Sequence, residues 1–212
     1  MKRLIYLLTV IALTFSAQGL AQGPMLEMEQ AAAMVDTAPV QYFSDASEVR
    51  GAWSKLIRLD NGIAVEVHTS DLEEGFTYTV WWVIFNTPSG CSPDPAVDAS
   101  TPACGEDDVF NADGEMDPNP DVNLSVAWAT GNIVGESGMA TFSAYLQKGH
   151  APGEVLTGSG LTDPRGAEVH MVVRSHGRAS VYRNALYQQL NSFEMTCRVC
   201  EDYQFSIHFP PS

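Results

Sequence analysis

The chain has 212 residues, 45% of them hydrophobic and 17% charged, which is enough apolar material for one ordinary core and too much for a disordered chain. Lys2 and Arg3 lie in the first 21 residues, so removing that stretch leaves 9 Lys and Arg against 26 Asp and Glu, a net of −17. A chain this acidic excludes nucleic acid as a partner, because phosphate binding needs the opposite sign.

In chain order, Lys2 and Arg3 precede the apolar run Leu4 to Phe15 and a small-residue site at Gly19-Leu20-Ala21. This is the pattern of a secretory signal peptide cleaved near Ala21, and it predicts a secreted or periplasmic product. No later apolar stretch reaches the ~20 residues a membrane helix needs, so no span is expected after residues 1–21. Residues 22–46 are expected as a tether, with a short helix over Leu26 to Val35, and residues 47–212 as one domain.

Strands are expected at 52–58, at Ile63, Val65 and Val67 alternating with Ala64, Glu66 and His68, and at Phe76 to Asn86. That last run is rich in aromatic and β-branched residues on both faces, as a central, doubly buried strand would be. Further strands are expected at 123–134, 138–147, 167–174 and 201–208, and a helix over Ser180 to Leu190. The fold class is therefore all-β: a single β-sandwich, Ig-like or jelly-roll-like, with one or two short helices and a long acidic loop closed by a disulfide. Leu72, Gly75 and Tyr78 have the spacing of a tyrosine corner, in which the phenol bonds backbone a few residues upstream. Trp53, Trp81 and Trp128 are read as core residues; exposed together, they would form a platform for carbohydrate or a partner.

Residues 87–122 carry no strand signal, contain six of the twelve prolines, and far exceed the ~12 to 15 residues at which a structureless loop needs a reason. Four cysteines fall into two local pairs, Cys91 with Cys104 and Cys197 with Cys200, and are read as two disulfides. A four-cysteine zinc site and a redox Cys-x-x-Cys are the alternatives.

Two kinds of metal site are conceivable. The loop holds Asp94, Asp98, Glu106, Asp107, Asp108, Asp113, Glu115, Asp117 and Asp121, with no Lys or Arg between Arg58 and Lys148. Crowded carboxylates suit calcium, with Asp107, Asp108, Asp113 and Asp117 as ligands in the 106–121 stretch. The register of a calcium loop fails, however, because Val109 and Pro120 occupy its first and twelfth positions. Separately, strand alternation puts Glu168, His170, Arg174 and His176 on one face, a candidate binding set, and leaves His68 and His208 off the expected core face. If those strands were neighbours, His68, His170 and His208 could hold copper or zinc. The plainer expectation is that no cofactor is bound. Nucleophiles are poorly supported: Ser175 and His176 point to opposite faces, and Ser159 in Gly158-Ser159-Gly160 is not a nucleophile elbow.

The segments YTVWWVIFN at Tyr78–Asn86, CGEDD at Cys104–Asp108, GAEVH at Gly166–His170, VRSHG at Val173–Gly177, and Cys197-x-x-Cys200 followed by Gln204-Phe205 resemble a family of exported bacterial β-rich proteins to which no activity is assigned. The resemblance runs from about residue 50 to the end and implies export and a compact β domain. Ala112 to Asn119 departs from it as a longer acidic loop, which would make any calcium role peculiar to this chain. Taken together, the sequence reads as a secreted or periplasmic, non-catalytic binding or surface-associated module whose partner is a protein or small ligand. A metal-binding protein and a hydrolase with an unassembled site are the alternatives.

Overall fold

The computed structural model describes residues 33–92, 104–149, 151, 153–193 and 200–211. Nine strands run in the order β1 (Met34–Tyr42), β2 (Glu48–Leu59), β3 (Gly62–Thr69), β4 (Phe76–Phe85), β5 (Leu124–Ile133), β6 (Ala140–Gln147), β7 (Val155–Thr157), β8 (Glu168–Arg178) and β9 (Glu201–His208). One α-helix, α1 (Arg183–Asn191), lies between the last two. The expected all-β chain is thus present, and its layers are parts of one antiparallel sheet with the strand order β6-β3-β2-β1-β9-β8-β4-β5-β7.

The sheet is curled. Near its opposite ends, β5 and β6 lie close together, and the turn that joins them is tied to the start of β4 by Gly75 N–H donating to Val134 O and Leu72 N–H donating to Gly138 O. Register shifts interrupt the β1–β2, β4–β5, β4–β8 and β8–β9 ladders, and such bulges bend and twist a strand enough to wrap one sheet around a core. Inside the curl, Val40, Leu56, Ile63, Val65 and Val67 pack with Val80, Trp82, Ile84, Phe142 and Met171 in one cluster. The inward set of β3 is the Ile63, Val65, Val67 face that alternation predicts, with Glu66 and His68 turned out.

Strand β4 is buried on both faces, as its composition predicts. Its outer face, Trp81 and Phe85, joins Cys91, Cys104, Val109, Val122, Leu124 and Val126 in a second cluster beneath the long loop. The disulfide Cys91–Cys104, with Cα atoms 5.0 Å apart, belongs to that cluster. Of the second expected pair, Cys200 is disulfide-bonded, and Cys197 lies outside the described residues. The tyrosine corner also forms: Tyr78 Oη accepts from Glu73 N–H at 3.1 Å.

Helix α1 overlaps the expected Ser180 to Leu190 stretch, starting three residues later and ending one residue beyond it. It docks where Trp128 Nε1–H donates to Leu190 O at 3.0 Å and Gly131 passes so near that carbonyl that a Cβ there would lie 2.4 Å from it. Any side chain at Gly131 would push the helix off the sheet.

Two expectations are overturned by the strand pairing. Residues 22–46 are not all tether, because Met34–Tyr42 form β1, paired with β2 on one side and β9 on the other. The helix expected over Leu26 to Val35 falls mostly outside the described residues, and its last two positions are strand. Three-dimensional pairing overrides a weak helical spacing here, since β1 closes the gap between the two halves of the sheet. The second correction concerns His208, which lies on the inward face of β9 with Gln204 and Ser206, all three buried. Alternation separates the two faces of a strand but does not say which is interior when both are covered.

Candidate functional site

The outer face of β9, β8, β4 and β5 meets the long loop around a pocket of about 310 Å³. The floor is Trp81, Val83 and Phe85 from β4, Val126 from β5, Val172 from β8, and Phe205 and Ile207 from β9. The opposite wall is Val109, Phe110 and Met116 from the loop, with Phe193 closing one end and Phe43 another. A concave, half-open, mostly aromatic and aliphatic space with a few polar groups is the usual form of a small-molecule site.

The loop wall is held by short-range polar chemistry rather than by regular structure. Asp108 is fully buried, and its carboxylate accepts from Ser92 N–H at 3.0 Å, Ser92 Oγ–H at 3.1 Å, Asn119 Nδ2–H at 2.9 Å and Gly105 N–H at 3.3 Å. Four donors compensate a buried charge that has no basic neighbour in sequence. Asn111 Oδ1 accepts from the backbone N–H groups of Asp113 and Glu115, and Phe110 bridges Met116, so the acidic tip folds back as a tight ribbon. Both side chains of that bridge then face the pocket.

Polar groups meet the pocket at three places. His170 lines it, with Nε2 2.7 Å from Oε1 of buried Glu168 and its ring centroid 5.0 Å from that of Phe85. Asp202 lines it and takes Arg174 Nη1–H at 2.6 Å, while the guanidinium carbon of Arg174 lies 3.9 Å from the centre of the Phe193 ring. Glu106 is at the exposed rim. The expected set of Glu168, His170, Arg174 and His176 does share the outer face of β8, but only the first three belong to this end.

His176 is farther along β8 and serves another purpose. Trp81 Nε1–H donates to Thr79 Oγ1 at 2.8 Å, Thr79 Oγ1 shares a hydrogen bond of 2.7 Å with His176 Nε2, and His176 Nδ1 lies 3.4 Å from Cys200 Sγ. Burial, with the nearby Arg174 charge second, lowers its pKa from 6.5 to about 4. The folded state therefore holds the ring neutral. Its contribution is complete above pH 6.5, where the unfolded chain is neutral too, and is lost as pH falls towards 4, because only the unfolded chain then takes up the proton readily. The full shift corresponds to at most ~3 kcal/mol, and water in the adjoining cleft of about 720 Å³ brings this nearer ~2 kcal/mol. Urea unfolding of wild type and His176→Gln, at neutral pH and at about pH 4.5, should show the wild type losing about 2 kcal/mol more than the variant; equal losses would contradict the assignment.

The histidines expected as metal ligands stand apart. His68 is on the outer face of β3, stacked on Trp53 at 5.7 Å and within 3.0 Å of Thr141 Oγ1; His170 is in the pocket; His208 is inside the curl. Of the expected calcium ligands, Asp108 is occupied by protein donors, and Asp107, Asp113 and Asp117 are exposed. Among the described residues, no three His, Cys, Asp or Glu side chains converge as a metal site. Trp81 is core, whereas Trp53 and Trp128 are half-buried and share no platform.

A relay that sequence inspection missed lies inside the curl. His208 Nδ1–H donates to Asp36 Oδ2 at 2.8 Å, and its Nε2 accepts from Ser54 Oγ–H at 2.8 Å. Burial lowers the His208 pKa, partly offset by Asp36, so the ring is neutral, as this bonding requires. The order of groups is that of a serine hydrolase, but Ser54 and His208 are both wholly buried, so no acyl group can approach the hydroxyl. Its role is to pin β9 to β1 and β2. Ser54 and Asp36 are separated by 154 and 172 positions from His208, and nothing local marks them.

No family model, curated protein or solved structure matches this chain.

Proposed function

We propose that the protein is an exported, non-catalytic binding module whose ligand is a small, largely apolar molecule seated under the disulfide-pinned loop. The pocket is the observation that carries this reading: about 310 Å³, half open to solvent, aromatic on floor and wall, and bordered by a loop that the buried Asp108 network holds in place. Its volume suits a small molecule and not a helix or strand of a partner protein. Export is supported by the N-terminal pattern and by the Cys91–Cys104 bond, since disulfides persist in oxidising compartments.

The test is the fluorescence of the apolar dye N-phenyl-1-naphthylamine with the purified protein. Wild type should bind it in a saturable way. Val172→Trp, which places an indole in the pocket from a strand position that tolerates aromatics, should weaken binding by tenfold or more while leaving the circular dichroism and melting temperature near wild type. Dye binding unchanged by the filled pocket, or absent from wild type, would overturn the reading.

A further inference from the structure

Helix α1 begins at an exposed apolar tip. Val181 is 91% and Tyr182 76% exposed. Tyr182 stands where Ser, Thr, Asp or Asn commonly caps a helix, and its side chain makes no cap. The turn that displays it is held firmly. Buried Gln189 donates through Nε2 to His176 O at 3.1 Å and Arg178 O at 3.0 Å and accepts Ser180 N–H at 2.8 Å, and Ser180 Oγ accepts Tyr182 N–H at 3.1 Å. Charge sets the tip apart as well. From Val169 to Phe193 the chain has Arg174, Arg178 and Arg183 and no Asp or Glu. Arg174 is paired with Asp202, and Arg178 shares a cleft with Asp71, Glu73 and Glu201, which leaves exposed Arg183 as the tip's own cation.

A surface of opposite charge and the same apolar character lies on the long loop. Phe110 and Met116, each 39% exposed, form an antiparallel bridge, and exposed Asp113, Glu115 and Asp117 flank them in the chain. We propose that the tip of one copy docks on this loop in a second copy, with Val181 and Tyr182 against Phe110 and Met116 and Arg183 against the carboxylates. Tyrosine and arginine are among the side chains that most often dominate such contacts. The two halves are different patches of one chain, so the contact is heterologous and every copy offers both. It is small, and the expected association is micromolar rather than nanomolar. An anionic membrane would attract Arg183 too, but the matching apolar and acidic surface is already present on the chain itself.

Sedimentation velocity of the purified protein over a concentration series reaching about 1 mM reads the contact directly. The sedimentation coefficient of wild type should rise with concentration. Tyr182→Ala and Arg183→Glu should each weaken association about tenfold or more. Glu115→Lys/Asp117→Lys should weaken it as well, and joining that pair to Arg183→Glu in one chain should recover association, because both signs are then exchanged. All four altered side chains are exposed, so the circular dichroism should stay that of wild type. A wild type that remains monomeric throughout, association indifferent to Tyr182→Ala, or no recovery in the combined variant overturns the proposal. Flotation of a monomeric wild type with phosphatidylglycerol vesicles would also overturn it and assign the tip to a membrane. Neither Tyr182 nor Arg183 lines the pocket, so the two readings fail separately. Association without dye binding leaves this contact standing, and dye binding without association leaves the pocket a ligand site.

Discussion

Arg58→Ala is expected to cost about 4 kcal/mol of stability, the largest single effect foreseen for this fold. Arg58 is 1% exposed and lies on the inward face of β2. Its guanidinium donates to four backbone carbonyls: Pro164 at 3.2 Å, Ala167 at 2.7 Å, His208 at 3.3 Å and Phe209 at 3.1 Å. It thereby ties β2 to the segment before β8 and to the chain after β9, three pieces that no strand ladder joins directly. Burial lowers its pKa, while Asp36, Asp163 and Glu168 act to raise it, and an arginine stays charged even so. Alanine would take the Arg58 donor from four carbonyls and leave a void beside them. Arg58→Lys keeps the charge but has one nitrogen instead of a fork, so it should lose about half as much. Urea midpoints with an unchanged slope measure both. A loss below about 1 kcal/mol for alanine would mean that the four bonds carry no net weight.

Breaking the Cys91–Cys104 bond with the Cys91→Ala/Cys104→Ala pair should cost about 3 kcal/mol by the loop-closure account for a separation of 13 residues. For a domain of this size that lowers the melting temperature by about 6 to 12 °C. The loss should be localised in its consequences. Cys91 and Cys104 pack in the outer cluster with Trp81 and Phe85, and Cys104 is itself part of the pocket wall. The interior cluster of β1, β2 and β3 contains neither. The β signal of the circular dichroism should therefore persist at room temperature while dye binding falls. A drop of less than about 2 °C, with binding intact, would show that the Asp108 network holds the loop unaided.

The strands were legible because both of their periodicities were strong. Ile63, Val65 and Val67 alternate cleanly, and Phe76 to Phe85 has no polar face to misplace, so each could be assigned from local pattern alone. Strand β1 was not legible, because Ala38, Pro39 and Gln41 interrupt its apolar pattern and its pairing depends on β9, more than 150 residues away. The outer face of β8 is legible as polar and shared, and His170, bonded to Glu168, is the polar residue of it that lines the pocket. The apolar remainder of the site was hidden for a physical reason. Nothing local marks Val172, Phe193 and Phe205 as a site, and only the passage of the loop residues Val109, Phe110 and Met116 over them turns a covered sheet face into a cavity. The loop's nine carboxylates drew attention to cations, yet the one that shapes the site, Asp108, does so by accepting hydrogen bonds from its own chain.

The most direct measurement of the pocket's role is methyl-resolved NMR of the purified protein titrated with N-phenyl-1-naphthylamine. Saturable shifts are expected, confined to Val83, Val109, Val126, Leu156 and Val172, with the interior methyls of Val40, Leu56 and Val65 unmoved. Saturable shifts clustered on any other face, with those five residues silent, would contradict a ligand site under the loop.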